Sequence, residues 1–339
     1  MRVSLVTKAV RAVQRRRVLW GASARPRGAV TITRVLGNDL HPRQVEGQTR
    51  RNLDLILREE ADLSDKLFLL NRWSDPLAAE DAAESIRAHG HRVHVTAFDP
   101  ATYRAARCDW RFLGDDPAQA VRRLQQMPKP QADRARLWSI RHKLAAAIGI
   151  NEARNQARDR GGDWTLLLDG ACFVPEDSFA TLCTDMETAP FAPALILPMH
   201  RLSTPDLGKP PPPDWTEEPQ VALHRSARLR FDPRLPYGLR DKTALFTALG
   251  VPGPWDGWGR DAFLPAPEPT PDLHRYKRAR AAVLRLPSGG ALEAAGAQRP
   301  RRQARMAGII ATILTLDQQQ DVPDADLTRD LLAQEPLTE

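Results

Sequence analysis

Cysteine is scarce. Cys108, Cys172 and Cys183 are the only three, and no two form a CxxC pair. That excludes a zinc ribbon, argues against a disulfide scaffold and points to a reducing compartment. Long apolar runs are missing as well. No stretch reaches the ~18 apolar residues of a spanning helix, and arginine interrupts the N-terminus too often for the core of a secretory signal. G-x-G-x-x-G and G-x-x-x-x-G-K-[ST] are absent, so a Rossmann dinucleotide site or a P-loop is not expected. No G-x-S-x-G elbow and no internal repeat is present.

Acids are missing from residues 1–28, which hold Arg2, Lys8, Arg11, Arg15, Arg16, Arg17, Arg25 and Arg27. The whole chain of 339 residues carries +7, with 42% hydrophobic and 27% charged residues, the profile of one large or two small soluble domains. The charge is uneven. Residues 275–305 hold nine basic residues and only Glu293, and from Met306 onward seven acids face Arg329. Residues 29–274 therefore sum to −3, so the body is not basic. The basic stretches lack interleaved aromatics, and a nucleic-acid partner is not expected. Val3, Val6, Val10 and Val13 share one helical face, with Lys8, Arg11 and Arg15 opposite. A basic amphipathic helix of this kind lies on an anionic membrane, which would make a cytoplasmic protein peripheral through residues 1–20. The alternative is a frayed or core-packed extension.

Periodicity predicts strands at Ala29–Leu36, Lys66–Leu70, Arg92–Phe98, Asp163–Leu168, Ala194–Met199 and Ala281–Leu286, with a strand or ribbon over Gln220–Phe231. Helices are expected at Gln48–Ala61, about 77–89, Leu137–Arg160 with a break near Gly149, Pro175–Thr188 and about 239–249. Residues 99–135 read as a helical excursion or a loop. Met306, Ile309, Ile310, Ile313 and Leu314 make a helical stripe, and the acidic end reads as loose. Apolar strands alternating with helices mean parallel pairing and a doubly wound α/β fold, a mostly parallel sheet flanked by helices.

Ligands in such sheets sit beyond the carboxyl ends of the strands. The polar residues there are Arg34 and Asn38, Asn71 and Asp75, Asp99, Asp169, then His200 and Arg201. Asp169 ends an apolar strand and needs a cation or a donor beside it; capping the next turn is its structural alternative. His89, His91 and His94 straddle a helix end and a strand, so their side chains should diverge rather than bind metal. The cluster Arg299, Arg301, Arg302 and Arg305 reads as a solvated or membrane-facing surface.

The order NRWSD, then Ala153-Arg154-Asn155, then a helix end and LLLDG resembles bacterial family-2-like glycosyltransferases of the GT-A fold, which use nucleotide sugars. The likeness covers about residues 30–200. It implies a UDP- or GDP-linked donor held by Arg34, Asn38, Asn71, Asp75, Arg154, Asn155 and Asp169, with Arg154, Arg34 or a metal neutralising the diphosphate. Trp255-Asp256-Gly257-Trp258-Gly259-Arg260-Asp261 resembles the acceptor loop of the family, which would make Asp261 the catalytic base with Asp256 as competitor. The alternative is a glycine-rich turn anchored by tryptophans. The family's DxD motif would place an acid at 171, where this chain has Ala171. A Mn or Mg ion would then rest on Asp169 with His200 or His224, unless the enzyme needs none. The implied layout is a leader (1–28), a nucleotide-sugar half (29–200), an acceptor half (201–290) and a terminal helix with an acidic tail (291–339). The expected activity is sugar transfer to a surface-polysaccharide or related glycan. The other expectation is a degenerate member that binds a glycan or a partner enzyme.

Overall fold

The architecture comes from a computed structural model that describes residues 30–61, 64–188, 192–202, 217–253, 263, 276–287 and 298–333. The leader, the four consecutive prolines 210–213 and the WDGWGRD segment with Asp256 and Asp261 lie outside the described residues.

The chain opens with β1 (Val30–Leu36), α1 (Gln48–Glu59), β2 (Asp65–Asn71), α2 (Pro76–Ala88) and β3 (Arg92–Thr96). A helical stretch follows: α3 (Pro100–Ala105), α4 (Pro117–Gln126), α5 (Lys129–Ser139), α6 (Arg141–Ala147) and α7 (Ile150–Arg160). Then come β4 (Trp164–Asp169), β5 (Cys172–Phe173), α8 (Glu176–Glu187), β6 (Ala194–Leu197), β7 (Met199–Arg201), β8 (Gln220–His224) and α9 (Thr243–Ala248). The last elements are β9 (Tyr276–Arg278), β10 (Val283–Arg285), α10 (Gln298–Gln319) and α11 (Ala325–Leu332).

Seven strands form one sheet in the order β3-β2-β1-β4-β8-β6-β9, and three form a second in the order β5-β10-β7. In the large sheet β8 pairs antiparallel to both β4 and β6, and the other neighbours are parallel. The chain winds outward from β1 to β3 and returns to the other side of β1 at β4, so the winding reverses between β1 and β4.

Burial on both faces explains the strand sequences. In β2, Leu67 and Leu69 pack with Ala153 and Ala157 of α7. The intervening Phe68 and Leu70 pack with Leu53 and Ile56 of α1 and Ala82, Ala83 and Ile86 of α2. This is the period of two of a pleated strand. Polar residues inside the sheet are paired. The Arg92 Nε donates to Asp65 at 2.9 Å, and Thr31 donates to the same carboxylate at 2.9 Å.

The stretch 99–135 is helical, and its start signals are specific. Asp75, Asp99 and Asp116 each precede a proline and each caps the helix that follows, accepting from backbone N–H groups one turn in. Gly149, at φ 49°, breaks the long helix between α6 and α7 as expected. The expected strand Ala194–Met199 divides at Pro198, which has no N–H to give to a ladder; Met199 onward joins the small sheet. The expected ribbon over Gln220–Phe231 is strand only to His224.

The acidic end is not loose over its described part. Leu331 and Leu332 of α11 are buried. Asp317 and Asp324 both reach Lys143 of α6, at 2.6 and 2.8 Å, and Lys143 is fully buried. Two of the acids that make the tail negative are thus counter-ions for a lysine in the body. No helix of the described residues is long and apolar enough to cross a membrane.

Candidate functional site

A cleft of about 180 Å³ opens at the carboxyl ends of β1, β2 and β4, where the winding reverses. That is where doubly wound sheets bind ligands, because the backbones diverge there and leave a crevice. Val35, Leu36, Gly37 and Asn38 line it from β1, Asn71 from β2, and Asp169, Gly170 and Ala171 from β4. Arg43, Arg154, Arg201, Arg285 and Arg305 line it from five other segments, with Tyr237 and the acids Glu217, Glu218 and Asp241.

Asp169 is the hub. Its carboxylate meets Arg285 at 3.1 Å, Arg154 at 3.3 Å and Lys242 at 3.4 Å. Burial pushes its pKa up, but Lys242, Arg154 and Arg285 outweigh burial and hold it well below the ordinary carboxylate value. So ionised a carboxylate is a poor proton acceptor at neutral pH, and Asp169 serves as a charge anchor. Its partners are shared. Arg154 reaches Asp241 at 3.0 Å, and Lys242 reaches Glu218 at 2.9 Å. Burial lowers the Lys242 pKa, and Asp169 and Glu218 reverse that to a net rise.

The donor set does not suit a divalent cation. Among the described residues, every carboxylate lining the cleft has a cationic partner: Asp169 and Asp241 as above, Glu218 on Lys242, and Glu217 on Arg201 at 3.4 Å. A dication placed about 4 Å from one guanidinium is opposed by about 8 kcal/mol at an effective dielectric of 20, and Asp169 has three cations within 3.4 Å. No group of three or more potential metal ligands occurs among the described residues. His200 does not line the cleft although Met199 and Arg201 do. Alternation along β7 turns it to the opposite face, as the pleat requires. His224 pairs with Trp164, at the far end of β4 from Asp169.

The remaining expected contacts divide in two. Asn38, Asn71, Arg154 and Asp169 line the cleft. Arg34, Asp75 and Asn155 do not. Arg34 is fully buried, donates its Nε to the Cys172 carbonyl at 2.9 Å and forms an ion pair with Glu60, which also meets Lys66 at 3.4 Å. Asp75 is a helix cap. The Asn155 side chain exchanges two hydrogen bonds, of 2.8 and 3.0 Å, with the backbone of Phe231. The NRWSD turn is itself a set of staples. Asn71 donates to the Ile148 carbonyl, Arg72 to Glu152 at 2.6 Å, Trp73 to the Leu36 carbonyl at 2.9 Å, and Ser74 N–H to Asn38 at 3.0 Å.

The sequence alone did not single out Arg43, Tyr237, Asp241, Lys242, Glu218 or Arg285, and it assigned Arg305 to a surface. Arg305 instead sits over the Tyr237 ring, 5.7 Å from its centroid, in the cleft wall. Arg43 donates to the Tyr237 hydroxyl. Burial lowers the Arg43 pKa to about 10; Tyr237 opposes this, while Arg305, Arg285 and Arg201 add to it as like charges.

No protein-family model and no curated protein matches this chain. Loosely similar solved structures include the following three. A structure of S. aureus TarS residues 1–349 is 9% identical, with a TM-score of 0.37, over 90% of this chain and 69% of that one. A second structure of S. aureus TarS is 10% identical, with a TM-score of 0.38, over 90% of this chain and 42% of that one. The third is described as a glycosyltransferase involved in the glycosylation of the major capsid of PBCV-1; it is 12% identical, with a TM-score of 0.28, over 82% of this chain and 98% of that one.

Proposed function

We propose that this protein is a glycosyltransferase that takes a sugar from a UDP- or GDP-linked donor and passes it to a hydroxyl of a glycan. The observation that carries this reading is the cationic cleft at the point where the sheet reverses its winding. Breaking the bond between a sugar and a diphosphate leaves a polyanion, and fixed cations aimed at it lower the barrier without reorganising. Arg154 and Lys242 are held in place by Asp169, Asp241 and Glu218, so their charges are preset. Asn38 and Asn71, which line the same cleft, are the proposed contacts to the base and ribose of the donor. Asp261 is the proposed base toward the acceptor, with Asp256 as competitor. Residues 1–20 are proposed to tether the protein to an anionic membrane face, and removing residues 1–28 should release it to the soluble fraction.

A second reading has one specific observation behind it. Asp169 is saturated with cations and Ala171 adds no ligand, which also suits a protein that binds a glycan or partner enzyme without turning over a donor. A panel of nucleotide sugars in thermal-shift and hydrolysis assays separates the two. A rise in Tm with one UDP- or GDP-sugar, together with slow release of its nucleotide, is the expected result. A shift without release leaves the binding reading, and no shift with any donor overturns the transferase.

A further inference from the structure

We infer that Arg43 and Arg305, backed by Arg285 and Tyr237, form a subsite that holds a diphosphate without a divalent cation. The inference rests on the donor reading above and specifies how that donor is gripped. Charge comes first. Counting Lys242, six cations surround the cleft against four carboxylates among the described residues, an excess of two. The four carboxylates are all engaged by Arg154, Lys242, Arg285 and Arg201. The excess therefore resides on Arg43 and Arg305. Among the described residues neither has a carboxylate within ion-pair distance, and Tyr237 is their shared neighbour. A diphosphate ester carries two negative charges, which match that excess.

Among the described residues, arginine nitrogens without a partner occur at Arg136 and Arg158 as well as in the cleft wall. The Nε atoms of Arg305 and Arg285 are buried and have no hydrogen-bond partner among the described residues. Buried donors are nearly always satisfied, and each exception needs an explanation. The planar fork of arginine suits a phosphate better than a point charge does.

The backbone sets the two arginines against each other. A Cβ on Gly308 would lie 2.7 Å from the Leu40 carbonyl oxygen and 3.1 Å from that of His41. Only glycine lets α10 approach that loop, and the approach brings Arg305, one turn before Gly308, to the loop that carries Arg43. Burial lowers the Arg43 pKa most, and Arg305, Arg285 and Arg201 add to that, while Glu218 and Asp241 favour the charge on Arg305.

Calorimetric titration of the full-length protein with inorganic pyrophosphate, UDP and GDP tests the subsite, in EDTA and then with Mg or Mn. Binding should persist in EDTA and should not tighten when the metal is added. Arg43→Ala and Arg305→Ala should each weaken pyrophosphate by about tenfold, the loss of a charge-assisted hydrogen bond. Lysine at either position should restore part of it. Arg225→Ala, on an exposed pair with Asp163, should change nothing. Arg43 lies on a loop, so its variant answers the question even where the Arg305 variant folds poorly. Binding that appears only with Mg or Mn overturns the inference and leaves the transferase reading intact. EDTA-resistant pyrophosphate binding with no affinity for any nucleotide sugar does the reverse. Binding that ignores both arginine variants, or no binding at all, overturns the inference.

Discussion

Two buried ionic clusters in this protein look alike in composition and differ in their accounts. In the first, Lys143 faces Asp317 and Asp324, and Thr328 accepts from its ammonium at 2.6 Å. Tyr103 donates to Asp317 at 2.8 Å, and the Cys108 N–H donates to Asp324 at 2.9 Å. One ammonium there serves two carboxylates, which the Tyr103 hydroxyl and the Cys108 N–H complete, and the cluster fastens α10 and α11 to the body. In the second, Arg154, Lys242 and Arg285 balance Asp169, Asp241 and Glu218, and Arg43 and Arg305 in the cleft wall add two cations. The first is completed by neutral donors of the protein itself. The second has a surplus of cations beside an open cleft, where an anionic ligand can reach them.

The comparison can be broken most decisively at Lys143. Lys143→Ala strands two carboxylates, and losing one partner of a buried pair costs about 3–5 kcal/mol. Urea denaturation should show that loss, and pyrophosphate should restore none of it. Burial raises the Asp324 pKa, but bonds from Lys143 and the Cys108 N–H, with the Lys143 charge, bring it below its ordinary value. The sign follows. A depressed carboxylate stabilises the fold above its unfolded pKa of 3.8, and that stability is lost as pH falls through the folded value. Wild type should therefore weaken on acidification below about pH 4, and the Lys143 variant should show a flatter acid limb.

Asp169→Asn tests the surplus. Arg154, Lys242 and Arg285 would lose their common counter-charge, at a cost of about 3 kcal/mol. Here an anion should repair the damage, so pyrophosphate should raise the Tm of this variant more than that of wild type. Equal rises would erase the distinction between the clusters.

Gly308→Ala comes next. Its methyl group meets backbone oxygen rather than a flexible side chain, and overpacking of this kind costs about 1–3 kcal/mol. The loop carrying Arg43 should yield first, so pyrophosphate affinity should fall with stability. Asp75→Ala has the smallest expected effect. Losing the cap of α2 costs about 1 kcal/mol, and calorimetry should find ligand affinity unchanged. A lost affinity would return Asp75 to the site.

The sheet was legible because its evidence is local. VTITRVL, DKLFLLN and WTLLLD are buried on both faces, so burial is written in each strand's own residues. Position was legible too: Asn38, Asn71 and Asp169 follow strands and do line the cleft. Direction was harder to read. Arg34 stands beside Val35, yet alternation sends Arg34 toward Glu60 and Val35 to the cleft side. The Asp-Pro pairs at 99 and 116 carried a helix-start signal in a stretch otherwise hard to read. Arg305 lies on a helix whose apolar stripe suggested a surface for its basic face, because no sequence pattern records what stands opposite.

The sequence carries the doubly wound layout, the strand ends and the anchor at Asp169, because periodicity and strand polarity depend on neighbours along the chain. It also showed that residues 275–305 are basic. That Arg285 and Arg305 from this stretch turn inward to line one cleft with Arg43 is set by the folded packing. Charge balance in a cleft is a sum over segments far apart in the chain, and folding alone selects which segments enter it.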